Sequence, residues 1–206
     1  MKISNGVKKK FIISIAIVLI LVAGGGFFWW KKIRETPIEK WEEAKYSPEE
    51  DYIAKETPEG KAVENKKMGL SYKIPKDWIL EKENPTRFYS PDTKFKEKSS
   101  VFLEKGCKIY VEASYIKTGI DTLKNYNDAN FSSGIKIDES STIKVSNYSA
   151  LRYKYHAKNF EMSYIGIGIP FKDKLYEIEI SNPTNETERC EEEFNKFLET
   201  VSIQPR

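Results

Sequence analysis

The sequence predicts an α+β domain, an antiparallel β-sheet flanked by helices, preceded by one transmembrane helix. Residues 11–30 form an uncharged apolar run, residues 142–181 carry successive strand patterns, and residues 190–201 carry a one-sided helical pattern. A sheet with one apolar face needs a second layer to bury it, and a one-sided helix supplies that layer. The predicted organisation is a cytoplasmic tail at 1–10, a transmembrane helix at 11–30, a charged linker or stalk at 31–67 and a globular domain at 68–206.

The apolar run at 11–30, FIISIAIVLILVAGGGFFWW, spans about 30 Å at a helical rise of about 1.5 Å per residue, which matches the hydrocarbon thickness of a bilayer. Residues 27–30 followed by Lys31 and Lys32 form an aromatic belt with a basic cap, as is typical where a helix leaves a membrane. We therefore expect a single-pass anchor. A cleaved secretory signal is the alternative, because lysines, an apolar stretch and then Ala23 also follow the order of a signal peptide.

The orientation of this anchor follows from the flanking charges. Four lysines precede the apolar run, whereas two lysines and one arginine follow it closely. The positive-inside rule, helped by the α-amino group, favours a cytoplasmic N-terminus. The expected localisation is the cell membrane, single-pass, with the globular domain extracytoplasmic; a cytoplasm-facing domain is the alternative.

The net charge of +3 belongs to the membrane segment. Residues 1–34 hold seven of the 34 basic residues and none of the 31 acidic ones, so the rest of the chain carries a charge of −4. Nucleic-acid binding needs a clustered positive face. We therefore expect no nucleic-acid partner, and the partner that the sequence indicates directly is the lipid bilayer, through residues 11–30.

The segment 31–67 is polar and charged without sustained periodicity, which indicates a stalk. Within it, TPIE at 36–39 and SPEE at 47–50 each match a capping box with proline at the first helical position. Two short helices are therefore predicted, near 37–46 and 48–56.

The globular domain is predicted to start near Met68, where Leu70, Tyr72 and Ile74 alternate with polar residues at the two-residue period of a strand. Lys172 and Asp173 are placed to turn a hairpin. Further strands are predicted at 87–89, 101–104, 107–116, 142–145, 150–157, 162–170 and 174–181, with a short helix at 119–127.

The last helix is predicted from apolar residues at i, i+4, i+7, i+8 and i+11, which are Cys190, Phe194, Phe197, Leu198 and Val201. This spacing places them on one face of a helix. We expect the helix to pack across the sheet with Phe194, Phe197 and Leu198 buried.

Three stretches resemble PsbP/Mog1-like domains. GLSYKIPKDW at 69–78 and FYSP at 88–91 are similar to the opening of those domains, and EEFNKFLETVSI at 192–203 is similar to their closing helix and last short strand. The resemblance implies an antiparallel sheet flanked by helices and a non-enzymatic, protein-binding or assembly role. Members range from a photosystem II extrinsic subunit to a Ran-binding protein, so the fold does not select a partner.

Catalysis by the common routes needs a nucleophile with a base, a carboxylate pair or converging metal ligands. His156 is the only histidine, and it shares strand parity with Arg152 and Lys154, opposite Tyr153 and Tyr155. This parity predicts an exposed histidine on a polar face rather than a catalytic base. Two cysteines with one histidine make no zinc pattern. We predict no catalytic, cofactor-binding or metal-ligating residue, expect no cofactor, and do not expect an enzyme.

Two further features concern the sheet. Gly166 and Gly168 lie inside a strand pattern, where glycine marks a bulge or the close packing of another element. Most of the twelve tyrosines and eleven phenylalanines are expected at core positions. A ligand surface is expected on the sheet face that the last helix leaves uncovered.

Cys107 and Cys190 are the candidate disulfide. Cys107 begins a strand on its apolar face, and Cys190 opens the apolar stripe of the last helix, so a helix laid over that sheet brings the two side chains into one layer. An extracytoplasmic setting would oxidise such a pair. Two independent buried thiols are the alternative.

These observations predict a membrane-anchored, non-catalytic, extracytoplasmic binding or assembly module with a protein partner that the sequence does not name. A cytoplasm-facing tether for a soluble partner is the first alternative, and an enzyme of unrecognised type is the second.

Overall fold

The structure is a computed structural model that describes residues 45–58, 60–82, 84–97, 99, 101–116 and 136–204. The tail at 1–10, the transmembrane helix predicted at 11–30 and the helix predicted at 119–127 lie outside these residues. Within the described ranges, no helix combines the length and apolar character needed to cross a bilayer.

The described residues form two main β-sheets, a small hairpin and one α-helix. The strands are β1 (Lys45–Tyr46), β2 (Ile53–Thr57), β3 (Gly60–Asn65), β4 (Leu70–Ile74), β5 (Ile79–Leu80), β6 (Arg87–Tyr89), β7 (Lys94–Phe95), β8 (Leu103–Lys105), β9 (Lys108–Tyr115), β10 (Ile137–Val145), β11 (Tyr148–Ala157), β12 (Met162–Phe171), β13 (Lys174–Pro183) and β14 (Ser202–Ile203). The α-helix, α1, comprises Thr187–Leu198. Short 3-10 turns occupy Glu49–Asp51, Lys158–Phe160 and Thr184–Glu186.

The eight-stranded sheet has the order β10-β11-β12-β13-β9-β6-β5, and β1 pairs with the far end of β9. All its pairings are antiparallel. The predicted run of antiparallel strands and the hairpin turn at Lys172 and Asp173 are therefore confirmed. A four-stranded sheet has the order β14-β4-β3-β2, and β7 pairs with β8.

The prediction of a stalk over 31–67 is wrong for its described part. β2 and β3 form a hairpin, and β3 pairs with β4 from Lys61 opposite Ile74 to Asn65 opposite Leu70. The helix predicted near 48–56 is a single 3-10 turn followed by β2, and the end of the helix predicted near 37–46 is the strand β1. The physical reason is that β2 exposes nearly all of its residues and β3 buries few, so neither has an apolar periodicity.

The amphipathic helix is confirmed. α1 buries Cys190, Phe194, Phe197 and Leu198, as its spacing predicts. Phe197 meets Phe88 of the large sheet at a ring-centroid distance of 5.1 Å and Tyr72 of the small sheet at 5.7 Å. One continuous core therefore joins both sheets and the helix.

The two faces of β11 are the reverse of the expected arrangement. Arg152 and Lys154 lie on the side of the sheet that α1 covers, where both side chains bind Glu191 of the helix, at 2.7 and 2.9 Å. Tyr153 and Tyr155, on the alternate parity, face away from α1. Alternation shows that a strand has two faces, but long charged side chains can line the rim of a covered face as readily as an exposed one.

Candidate functional site

The site is the face of the eight-stranded sheet that points away from α1. Cross-strand pairing aligns Tyr153 with Gly166, Gly166 with Glu179, Glu179 with Tyr110, and Tyr110 with Arg87. Directly opposed residues share one face of a sheet, so these five positions form a row across five strands. We call this surface the tyrosine face; its members are Tyr46, Arg87, Tyr89, Lys108, Tyr110, Glu112, Tyr153, Tyr155, Tyr164, Glu177 and Glu179.

Three tyrosines of this surface form a stack of nearly parallel rings, which we call the platform. The rings of Tyr155 and Tyr164 stack with centroids 4.6 Å apart and planes 3° apart, and Tyr153 lies 6.3 Å from Tyr155. The Tyr153 ring rests on Gly166, since a Cβ at that position would overlap the ring. The strand glycine therefore marks close packing, and the register around it is uninterrupted.

Carboxylates lie beside the platform. Tyr155 donates a hydrogen bond from its hydroxyl to Glu179 Oε2 at 2.9 Å. Burial raises the pKa of Glu179 and also that of Glu112. Burial, followed by the neighbouring carboxylates, raises the pKa of the Tyr155 and Tyr110 hydroxyls above the ordinary tyrosine value. The hydroxyls are therefore donors, and the carboxylates are acceptors held in a partly desolvated setting.

Two cations stand at the other end of the face. The Arg87 guanidinium lies 5.4 Å from the centre of the Tyr110 ring, within cation–π range. Burial, and next the charge of Arg87, lowers the pKa of Lys108. Tyr89 donates to Glu81 Oε2 at 2.8 Å, and burial together with this contact raises the pKa of Tyr89 to about 12. Glu112, Glu177 and Glu179 outnumber Arg87 and Lys108, so the net charge of the tyrosine face is negative, and Glu81 beside it adds a further carboxylate.

This arrangement is suited to recognition. Tyrosine supplies a large, stiff contact area with a polar tip, and tyrosine and arginine are enriched in protein interfaces and among their energetic hot spots. Among the described residues, no group of three or more His, Cys, Asp and Glu side chains could hold a metal ion.

His156 lies outside the tyrosine face. It is exposed, as predicted, although its strand parity belongs to the side of the sheet that α1 covers rather than to an open polar face. Its Nδ1 lies 2.7 Å from Asp138 Oδ2.

Cys107 and Cys190 meet beneath the start of α1. The structure joins them as a disulfide with their Cα atoms 5.7 Å apart, and both residues are fully buried. This separation is within the range that a bridge allows. The oxidation state of the native protein stays a prediction.

The tyrosine face departs from the expectation that most tyrosines lie in the core. A signal for it is present in the sequence: glutamates recur at one parity of two strands, at Glu112 in β9 and at Glu177 and Glu179 in β13. Glutamates at such positions indicate a face that is not sealed by a helix. The expected place of a ligand surface, on the sheet face opposite the last helix, is the place where these side chains gather.

Neither a protein-family model nor a curated protein sequence matches this chain. Solved structures do. LpqN, described as involved in cell envelope biogenesis of Mycobacterium tuberculosis, is 15% identical with a TM-score of 0.50, over 79% of this chain and 92% of that protein. Cyanobacterial PsbP (CyanoP) from Synechocystis is 13% identical with a TM-score of 0.45, over 69% and 91%. The likeness to LpqN shows a shared fold.

Proposed function

We propose that this chain is a membrane-anchored, non-catalytic binding or assembly module whose domain stands outside the cytoplasm and docks a protein partner on the tyrosine face. The observation that carries the proposal is the stacked platform of Tyr153, Tyr155 and Tyr164 beside half-buried carboxylates. Stacked rings lose little rotamer freedom on binding, so contact area is gained at a low entropic cost.

The partner's contact segment is basic. Three carboxylates against two cations give the tyrosine face a negative balance, and Glu112 and Glu179 are partly desolvated by burial, which raises their pKa values. An arginine or lysine from a partner would neutralise one of these carboxylates, which water solvates poorly. The same side chain could stack on an adjacent tyrosine ring.

The membrane part of the proposal rests on residues 11–30 and their flanking charges. The extracytoplasmic part is supported by the Cys107–Cys190 pair, because disulfides persist in oxidising compartments. LpqN is described as involved in cell envelope biogenesis. From that description we extend to this chain only the hypothesis of a role at the cell envelope. The resemblance to PsbP/Mog1-like domains supports a non-enzymatic role in the same way.

Site-specific photo-crosslinking in intact cells tests the docking surface. A benzophenone amino acid is placed at Tyr164 or Tyr89 on the tyrosine face, and at Asn195 on the exposed side of α1 as the matched control. We expect one identified protein to crosslink from the first two positions and not from Asn195. Its crosslinked peptide should contain lysine or arginine.

A charge variant sharpens that experiment. Glu112→Gln should reduce the yield of the adduct, whereas Glu199→Gln, an exposed glutamate just after α1, should leave it unchanged. Equal adducts from all three positions, or an adduct insensitive to Glu112→Gln, would rule out the tyrosine face as the docking surface.

Topology is tested separately. Protease added to intact cells or spheroplasts should digest the chain beyond Arg34, because the domain is expected outside. Full protection that is lost only on lysis would support the cytoplasm-facing tether instead.

A further inference from the structure

A groove lies at the end of the eight-stranded sheet where β12 begins and β13 ends, beside the hairpin of β7 and β8. Its volume is about 740 Å³, and its floor is formed by the buried side chains of Leu103, Met162 and Pro183. Pockets of several hundred Å³ with an apolar floor and a few polar groups are typical of small-molecule sites. The polar groups of this groove include Lys96, Glu104, Asp138, His156 and Glu161.

An irregularity in β10 shapes the polar wall. The register between β10 and β11 shifts between Ile137 and Glu139, so Asp138 is an extra residue in its strand. Such a bulge changes the direction of a side chain. Asp138 Oδ2 thereby lies 2.7 Å from His156 Nδ1. Oε2 of the next residue, Glu139, lies 3.5 Å from Lys154 Nζ. The bulge therefore turns two consecutive carboxylates towards the α1 side of the sheet.

The charges of the groove are unbalanced. Lys96 Nζ donates to the Phe160 carbonyl oxygen at 3.1 Å and to Glu161 Oε2 at 3.3 Å, so its positive charge is already engaged. Glu104 is exposed and has no hydrogen bond or ion pair within the described part of the chain. Glu104, Asp138 and Glu161 against Lys96 leave a formal charge of −2 when His156 is neutral.

We propose that this groove binds a small organic cation, an ammonium group carried on an apolar body. The apolar body would cover the floor of Leu103, Met162 and Pro183. The ammonium group would lie at the wall, where Glu104 offers an exposed carboxylate that can accept a charge-assisted hydrogen bond. This site shares no residue with the tyrosine face and does not depend on the proposed docking function.

The only histidine of the chain gives a direct reporter. The full chain is labelled with ¹³C-histidine in lipid nanodiscs and titrated with benzylammonium, and the ring signal of His156 is followed by NMR. Benzyl alcohol and benzoate have similar apolar bodies with a neutral and an anionic group. Empty nanodiscs correct for partition of each probe into lipid.

We expect benzylammonium to shift the His156 signal saturably, and the other two probes to bind at least tenfold more weakly. Glu104→Gln should weaken the binding of benzylammonium about fivefold, because it removes one partly exposed charge contact. Glu199→Gln, outside the groove, should change the affinity less than twofold. Equal binding of benzyl alcohol, an unchanged affinity in Glu104→Gln, or no saturable shift would each overturn the proposal.

Discussion

On the face of the eight-stranded sheet that α1 covers, Ile109, Ile167 and Ile180 are fully buried, whereas the opposite face of the same strands carries tyrosines and glutamates. The covered face is sealed by apolar side chains and by α1. The tyrosine face holds titratable groups in partly desolvated positions, at a cost in stability. The difference indicates that one face specifies the fold, and it agrees with the proposal that the other face serves recognition. Substitutions on the two faces should therefore differ in size and in sign.

The largest expected effect belongs to the covered face. Replacing both Cys107 and Cys190 by alanine should lower the free energy of unfolding by about 4–5 kcal/mol, because the bridge closes a loop with a sequence separation of 83 residues. Urea unfolding of the oxidised wild type and the double variant measures this difference. Reduction of the wild type should reproduce the loss. Two free thiols in the denatured, unreduced protein would contradict the bridge.

The next effect tests packing under α1. Phe197→Ala should lower the free energy of unfolding by about 3–5 kcal/mol. The ring is buried between α1 and the rings of Tyr72 and Phe88, so its removal leaves a cavity. Tyr164→Ala on the tyrosine face is the matched aromatic truncation and should cost about 1 kcal/mol, since it loses one stacking contact without a sealed cavity. Equal losses would mean that the two faces are packed alike.

Much of this contrast could be predicted from the sequence. α1, β9, β12 and β13 follow clear apolar periods, and the pairing of β12 with β13 follows from the turn at Lys172 and Asp173. β10 begins at Ile137, before the predicted start at residue 142, because most of its first residues are exposed. The hairpin of β2 and β3 could not be predicted, because an edge strand with little buried area leaves no apolar period. The assignment of faces in β11 also failed, since parity separates two faces without identifying the one that a helix covers.

The sites depend on still finer geometry. Gly166 could be flagged from sequence, but the ring that rests on it is set by cross-strand register. No local sequence pattern predicts the bulge at Asp138. Register and bulges are fixed by the whole sheet, which explains why the platform and the groove become visible only in the structure.

A smaller effect tests the platform. Gly166→Ala should cost about 1–2 kcal/mol, because the new Cβ displaces the Tyr153 ring. In a Tyr153→Ala background the same change should be neutral or stabilise the protein by about 0.5–1 kcal/mol, since alanine restricts the unfolded chain more than glycine does. Thermal unfolding of the four proteins gives the coupling energy. A cost that persists without Tyr153 would show that another contact requires the glycine.

The smallest effects differ in sign between the two sides of the sheet. Burial raises the pKa of Glu112, although its hydrogen bond with Tyr110 and the charge of Arg87 act against this. The folded protein therefore binds the carboxyl proton of Glu112 more tightly than the unfolded chain does. The contribution of Glu112 to folding stability is greatest below the ordinary carboxyl pKa and declines as pH rises through the raised pKa. For Glu191, burial alone would raise the pKa, but Lys154 and Arg152 together lower it. The contribution of Glu191 to folding stability is therefore present above the ordinary carboxyl pKa and declines as pH falls through the lowered pKa.

Glu112→Gln should accordingly leave the protein at least as stable as wild type at neutral pH, with a gain below about 1 kcal/mol, whereas Glu191→Gln should destabilise it. Unfolding free energies measured from pH 4 to pH 8 separate the two variants, because the difference from wild type should grow with pH in both but with opposite sign.

The photo-crosslinking experiment shows whether Glu112 also matters for binding the partner. A variant that gains stability and loses the adduct would show that Glu112 is kept for binding, as expected where function opposes stability. If Glu112→Gln instead destabilised the fold, that carboxylate would be structural, and the contrast between the faces would rest on the tyrosines alone.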